Sequence, residues 1–344
     1  MVDGARPQLG KRACVQQARQ PELVAQDNQA GEWPSTGARP LLIAEAANPD
    51  WPSVPLIGWN FSRAIADRTG ALVATQIRNK PAFLRAGLEE GRDFIVIDNE
   101  QTASAAHRLG EMLRGGDNRG WTLVTALPSL SYYSFERQLW RLLKDRLKAG
   151  EFSLVHRITP LSPTSQSLLA GKLSRLAIPF IVGPLNGGVA WPAAFASVRR
   201  DEGEWLSQLR RLYRLMPGYR ATRDKAAALI AGSHATLAEL PATCRSKSFL
   251  LPENAVDLDH IPFGDRSRGK GALRVAFVGR LVPYKGADLL IEAVAASNLK
   301  AVIEVVVVGE GPQRQELEAL VRRLGLERQV RFAGWVPNQD LGTE

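Results

Sequence analysis

The sequence predicts an α/β protein with two parallel-sheet domains, and three observations carry that expectation. The first is the stretch Arg274 to Val294, RVAFVGRLVPYKGADLLIEAV. A continuous apolar run at Val275 to Val278 passes through Gly279 and Gly286 into a segment where Leu289, Leu290, Ala293 and Val294 recur at helical spacing. That is strand, glycine-bounded loop, helix. The second observation is that the pattern repeats. VIEVVVVGEGP from Val302 to Pro312 closes another strand at Gly309 and Gly311, and Leu317, Leu320, Val321 and Leu324 mark the next helix face. Two such units in series make half of a nucleotide-binding sheet. Third, upstream apolar runs at Ala71 to Ala74, Phe94 to Ile97, Trp121 to Ala126, Ser153 to Val155 and Pro179 to Val182 alternate with helical stretches such as Phe135 to Leu147. Strands interleaved with helices of this length argue for a parallel sheet covered on both faces, with right-handed crossovers.

Bulk properties set the bounds. A chain of 344 residues, 45% apolar, is long enough for two cores. Cys14 and Cys244 are too few and too far apart for a disulfide framework or a zinc site, so a reducing compartment is the default. No apolar run approaches the roughly 18 residues needed to span a bilayer, and no hydrophobic core follows the N-terminal charges. A soluble or peripherally attached protein is expected. The net charge of +9 and pI near 9.8 favour an anionic partner: nucleotide phosphate, acidic lipid headgroups or nucleic acid. Dispersed arginines and the lack of an aromatic stacking run weigh against nucleic acid.

Taken in order, residues 1–40 are polar, carry Pro7, Pro21, Pro34 and Pro40, and read as a disordered leader. The short apolar run Leu41 to Ala47 is followed by a proline-rich loop that opens a helix near Leu56 through Ile65. SLVHRITPLSP places His156 just past the C-terminal end of a strand, the rim where open α/β sheets take ligands. His156 is therefore a candidate ligand-facing residue, although a lone histidine after a strand is also commonly just packed. The next strand ends in GPLNGGVAWP, where Gly187 and Gly188 leave backbone donors uncovered. Over residues 204–223, Trp205, Leu206, Leu209, Leu212, Tyr213 and Met216 form one stripe edged by Arg210, Arg211 and Arg214. This is either a core helix with a solvated arginine border or a basic amphipathic helix for an anionic membrane surface. The strand ALIAGS at Ala228 to Ser233 leads through His234 into a helix and the crossing SFLLPENAVD. His107, His234 and His260 belong to no constellation.

The sharpest chemistry is Arg280 and Lys285 in the loop Gly279 to Gly286. A planar fork of donors and a mobile point charge beside a helix N-terminus suit a diphosphate. The alternative is a structural salt bridge. A Walker loop is excluded because Lys285 precedes the final glycine and no Ser or Thr follows it, and Gly309 and Gly311 lack the third glycine of a dinucleotide fingerprint. No carboxylate pair with metal-ligand spacing lies near the loop, so no metal is expected.

The loop GRLVPYKG, the segment VVGEGP at Val307 to Pro312 and the strand VRFAGWV at Val330 to Val336 resemble the donor domain of a GT-B glycosyltransferase, specifically the large retaining family 4. LPENAVD at Leu251 to Asp257 is similar to the P-N-G-V-D segment through which that family enters its second domain, and Gly183 through Gly188 matches its G-P-x-G-G turn. The family's usual glycine pair in the first loop is missing, with Gly58 the single candidate. The resemblance implies a GT-B α/β fold of two Rossmann-like domains facing a cleft: an acceptor-side domain over residues 41–252 and a donor-nucleotide domain over residues 253–344. It implies a nucleotide-diphosphate sugar as co-substrate with no other cofactor, a saccharide or lipid-linked acceptor, and a cytoplasmic protein that touches the inner membrane face, if at all, through residues 204–223. Arg280 and Lys285 would be catalytic, stabilising the leaving diphosphate, with His156 catalytic on the acceptor side. Gly279, Gly286, Gly309 and Glu310 would bind the donor, and Gly187, Gly188 and Asn254 would lie on the acceptor side. In that family the next portion carries two glutamates, seven residues apart, that hold the donor's ribose and sugar. The chain stops before it, so the expectation is a second domain cut short, and the alternative function is a non-catalytic glycosyltransferase-like protein with a structural or binding role.

Overall fold

The computed structural model describes residues 39–100, 121–187, 213–255, 273–337 and 340–341, with side chains from residue 131 onward in the helix that begins at Trp121. The first sheet has seven parallel strands: β1 (Arg39–Ala44), β2 (Leu72–Gln76), β3 (Phe94–Ile97), β4 (Phe152–Thr159), β5 (Phe180–Leu185), β6 (Ala228–Ala231) and β7 (Ser248–Leu250). Their spatial order is β3-β2-β1-β4-β5-β6-β7, so the direction of winding reverses between β1 and β4. Leu41 of β1 pairs with Leu72 on one side and Val155 on the other.

Alternation along each strand sends neighbouring side chains to opposite faces, and both faces are covered, which is why the strands read as unbroken apolar runs. Leu42, Ala44, Val73, Phe94 and Ile158 pack with helices α1 (Val54–Thr69) and α2 (Lys80–Arg85), through Trp59, Phe61, Ile65 and Phe83. On the other face Leu41, Ile43, Leu72, Val155 and Phe180 meet Tyr132, Phe135, Leu139, Leu143 and Leu147 of α3 (Trp121–Lys148), with Leu169 and Leu173 of α4 (Leu169–Arg175). Helices α5 (Tyr219–Asp224) and α6 (His234–Glu239) complete this half. Cys244 is a buried free thiol.

Two expectations fail here. Trp121 to Ala126 is not a strand but the first turns of α3. A six-residue, mostly apolar run cannot distinguish a buried strand from a buried helix by period, and the helical stripe that follows sets the outcome. His156 does not lie past its strand. β4 runs on to Thr159, so His156 is interior and 5% exposed.

The second sheet has three parallel strands, β8 (Leu273–Val278), β9 (Ile303–Val308) and β10 (Val330–Gly334), in the order β10-β9-β8. Helices α7 (Ala287–Ala296) and α8 (Arg314–Leu324) cover one face, where Ile291, Val294, Leu317, Leu320 and Val321 pack on Val305, Val307 and Val330. On the other face Arg274, Ala276 and Val278 are exposed. Glu253, where the second domain is expected to begin, belongs by its contacts to the first sheet: its carboxylate is buried and accepts from the Asn186 amide. Residues 1–38, and with them nearly all of the expected leader, lie outside the described residues, as do residues 204–212 of the amphipathic stripe. The stripe's described members Tyr213 and Met216 are half-buried, and core is reached beyond them. Arg223 is buried, donates to Gln166 Oε1 (2.6 Å) and the Pro163 carbonyl (2.9 Å), and lies 3.8 Å from the Tyr219 ring centre. Among the described residues no helix is long and apolar enough to cross a membrane.

On the α3 side one carboxylate ties α3 to the start of α4. Glu136 of α3 accepts from Ser167 Oγ (2.5 Å), Leu168 N (2.6 Å) and Leu169 N (3.3 Å), satisfying donors that α4 leaves open at its start. Burial pushes its pKa up, and these hydrogen bonds oppose that shift. Glu136→Ala strands the buried donors and is expected to destabilise the protein by about 2–4 kcal/mol, read as a lower urea midpoint at unchanged slope.

Candidate functional site

The loops leaving the C-terminal ends of β8, β9 and β10 are stitched together by their main chains. Gly279 N donates to Val308 O (3.0 Å), Leu281 N to Glu310 O (3.0 Å), Gln313 N to Leu281 O (3.2 Å) and Gly309 N to Gly334 O (2.7 Å). This approach requires glycine. A Cβ on Gly309 would sit 2.0 Å from the Gly279 carbonyl oxygen, and one on Gly311 would sit 2.3 Å from that of Leu281. Leu281 and Val282 are buried and anchor the first loop, which then makes a 3₁₀ turn at Pro283–Lys285. Gly286 has φ +73° and starts α7.

Arg280 and Lys285 flank this buried pair, and both are exposed. Neither has a carboxylate partner among the described residues. The Lys285 ammonium lies 5.8 Å from the centre of the Tyr284 ring, itself half exposed. Backbone N–H groups at the start of α7 and two unneutralised cations therefore share one rim, which can attract and hold an anion. Glu310, expected to bind the donor, has its side chain 52% exposed and accepts from Arg314 Nη1 at 2.8 Å, while Arg314 Nε donates to Glu318 at 2.5 Å and its guanidinium lies 4.8 Å from the centre of the Phe332 ring.

Gly279, Arg280, Lys285, Gly286, Gly309 and Glu310 are thus brought together at the end of the second sheet. Gly187 and Asn254 share a rim of the first. Gly187 has φ +93° and its N–H donates to Asn186 Oδ1 (2.7 Å), Asn186 donates to Glu253, and Asn254 lies 3.5 Å from that same carboxylate. Gly188 lies outside the described residues. His156 joins neither group. Its Nε2 is 2.7 Å from Gly183 O, and because a carbonyl only accepts, that nitrogen carries the proton. Burial, partly opposed by this hydrogen bond, lowers its pKa to about 4, so the ring is neutral at ordinary pH and ties β4 to β5.

The sequence reading missed the polar residues around Glu45. This carboxylate follows β1 directly and is 3.7 Å from Arg78, whose guanidinium lies 5.9 Å from the Trp51 ring centre. The available signal was a charged residue placed immediately after a continuous apolar strand.

Residues 265–343 match the family described as Glycosyl transferases group 1. Two curated relatives align with short segments: the 2-deoxystreptamine glucosyltransferase of Streptomyces kanamyceticus, 36% identical over 73 residues (21% of this chain, 19% of that protein), and the N-acetylgalactosamine-N,N'-diacetylbacillosaminyl-diphospho-undecaprenol 4-alpha-N-acetylgalactosaminyltransferase of Campylobacter jejuni, 40% identical over 88 residues (25% and 23%). The alignments thus span about a fifth of each relative's length. Among solved structures, Anabaena Alr3699/HepE in complex with UDP is 15% identical with TM-score 0.52, covering 87% of this chain and 70% of that one. Sucrose-phosphate synthase (tll1590) from Thermosynechococcus elongatus is 17% identical with TM-score 0.54, covering 88% and 72%. The fold is that of the GT-B glycosyltransferases, with two parallel sheets of which the second is small.

The depressed value for His156 gives a signed pH dependence. Above pH 6.5 the ring is neutral in both folded and unfolded chains. As pH falls from 6.5 towards 4, the unfolded chain takes up a proton that the folded one refuses, and stability is lost. Between pH 7.5 and pH 4.5 the wild type is expected to lose about 2–3 kcal/mol more than His156→Gln, at roughly 1.4 kcal/mol per pH unit. Chemical denaturation of both proteins at the two pH values measures the difference.

Proposed function

We propose that this chain is a retaining glycosyltransferase of family 4, transferring a sugar from a nucleotide-diphosphate donor to a saccharide or lipid-linked acceptor. The observation that carries the reading is the loop Gly279–Gly286, whose two exposed cations have no described carboxylate partner and stand at the start of α7 within a region that matches the glycosyltransferase family. In glycosyl transfer the barrier is departure of the nucleoside diphosphate, on whose oxygens negative charge grows. Cations held in place beforehand stabilise that charge more in the transition state than in the bound donor. Arg280 would offer two parallel hydrogen bonds and Lys285 a point charge, while the glycine-dependent stitching of the loops keeps their backbone from relaxing away. No metal is required by this scheme. On this reading residues 41–252 serve the acceptor side and the later residues the donor. His156 acts as a positioning residue for the end of β5 and touches no substrate.

Arg280→Ala is expected to lower turnover roughly 100- to 1,000-fold, the range found when one such donor is removed, and Lys285→Ala to weaken nucleotide binding. Nucleoside diphosphate release from a panel of nucleotide sugars and calorimetric titration with uridine diphosphate measure the two effects. A loss below threefold for Arg280→Ala would refute its assignment. Absence of both nucleotide binding and turnover in the wild-type chain would favour the non-catalytic alternative.

A further inference from the structure

The segment that carries the chain out of the first sheet is anchored before it leaves. Leu251 N donates to Ala231 O (2.9 Å), extending the ladder of β7 one residue past its end. Two residues later the side chain of Glu253 turns back into the protein and is buried. Its Oε1 accepts from Asn186 Nδ2 and lies 3.5 Å from Asn254 Nδ2. Its Oε2 is pressed against the main chain after β6. A Cβ on Gly232 would sit 1.8 Å from that oxygen, so the carboxylate can take this position because residue 232 has no side chain.

Asn186 is the first residue past β5, and both ends of its amide are engaged. A carboxylate only accepts, so the end that faces Glu253 must be Nδ2, and this leaves Oδ1 to accept from Gly187 N at 2.7 Å. Turned the other way, the amide would set oxygen against oxygen and N–H against N–H. Hydrogen bonds to a charged acceptor are the stronger kind, so the carboxylate decides the orientation. The turn it steadies is drawn in from several sides. Asn186 N donates to Leu161 O (2.9 Å), Gly232 N to Leu185 O (2.7 Å) and Thr236 Oγ1 to Gly187 O (3.4 Å). The loops after β4, β5 and β6 and the segment after β7 therefore meet at Asn186 and Gly187.

We propose that Glu253 is a positioning residue for the glycine turn after β5: it orients the Asn186 amide and, through that amide, holds the Gly187 N–H and main chain in place. It does so from the segment that leads towards the second sheet, so one side chain sets both the turn and the point where that segment departs. The hold stands on these contacts alone, whereas a part for the turn in sugar transfer rests on the glycosyltransferase reading. Asn186–Gly187 is the single Asn–Gly pair in the sequence. The full chain made with carbonyl-labelled asparagine and nitrogen-labelled glycine therefore gives one carbonyl-to-amide NMR cross-peak, which reports the Gly187 N–H by itself. In Glu253→Ala, solvent exchange at this amide is expected to speed up about tenfold, the scale of one hydrogen bond to a charged group. Glu253→Gln keeps an acceptor for Asn186 and is expected to stay within about threefold of the wild type. Gly232→Ala pushes the carboxylate off Asn186, so it is expected to speed exchange when Glu253 is present and to add nothing in Glu253→Ala, where the space is vacant. An unchanged rate in Glu253→Ala, or a Gly232→Ala effect of equal size with and without the Glu253 side chain, overturns the hold. Thermal melts check the variants, and Glu253→Met, which keeps length without the acceptor, replaces Glu253→Ala in the exchange measurement if the latter does not fold. Uridine diphosphate titrated into the same samples keeps the two readings apart. A wild type that binds no nucleotide while its Gly187 rate still depends on Glu253 sinks the donor assignment alone, and nucleotide binding with a rate indifferent to Glu253 sinks the hold alone. With both in place, Glu253→Ala is expected to lose turnover at unchanged affinity for uridine diphosphate.

Discussion

A parallel strand buried on both faces has no side chain to spare for chemistry along its length, and this constraint arranges everything else. Leu41 through Ala44 are all buried, alternating between the two cores. Polar groups inside such strands are buried, as His156, Arg157 and Thr159 of β4 are, and the others gather where the strand has ended and its loop has not yet returned over a helix. Glu45, Gln76 and Asn99 follow or close β1, β2 and β3, and Arg280 and Glu310 follow β8 and β9. The same constraint explains His156, the exception among the candidates. Lying within β4, it must surrender its charge and spend its one N–H on a neighbouring strand.

The two rims divide their electrostatics. Among the described residues, Arg78, Lys80 and Arg85 beside the first sheet each meet a carboxylate, while Arg280 and Lys285 in the loop after β8 meet none. Opposed charges at short range cancel beyond a few ångströms, so these pairs act as dipoles, whereas the two cations of the second rim present a net field. The +9 net charge of the chain conceals this division, because composition sums over sites that act separately.

How much of this was legible in the sequence depended on how local each cause was. Strands β8, β9 and β10 and helices α7 and α8 were readable because period, glycine positions and helix ends all agree within a few residues. The start of α3 was not, since Trp121 to Ala126 is apolar enough for either structure and only the packed stripe that follows makes it helix. The depth of His156 was hidden for a related reason: Arg157 and Thr159 look like the polar residues that end a strand, yet both are buried. Arg157 donates to the Ser165 carbonyl, and Thr159 bonds across to Ala46. Glu136 and the group around Glu45 are assembled from segments about 30 residues apart, a distance at which no sequence period operates.

The main-chain contacts at Gly309 and Gly311 limit how the second rim can diverge. With carbonyl oxygens occupying the space that a methyl group would need, any side chain at either position forces two loops to part at once. Descendants of this chain are therefore free to change what the rim recognises by exchanging residues such as Arg280, Tyr284 or Glu310, which project outward, but not by rerouting the peptide beneath them. New preferences would be written on an old and nearly immovable frame.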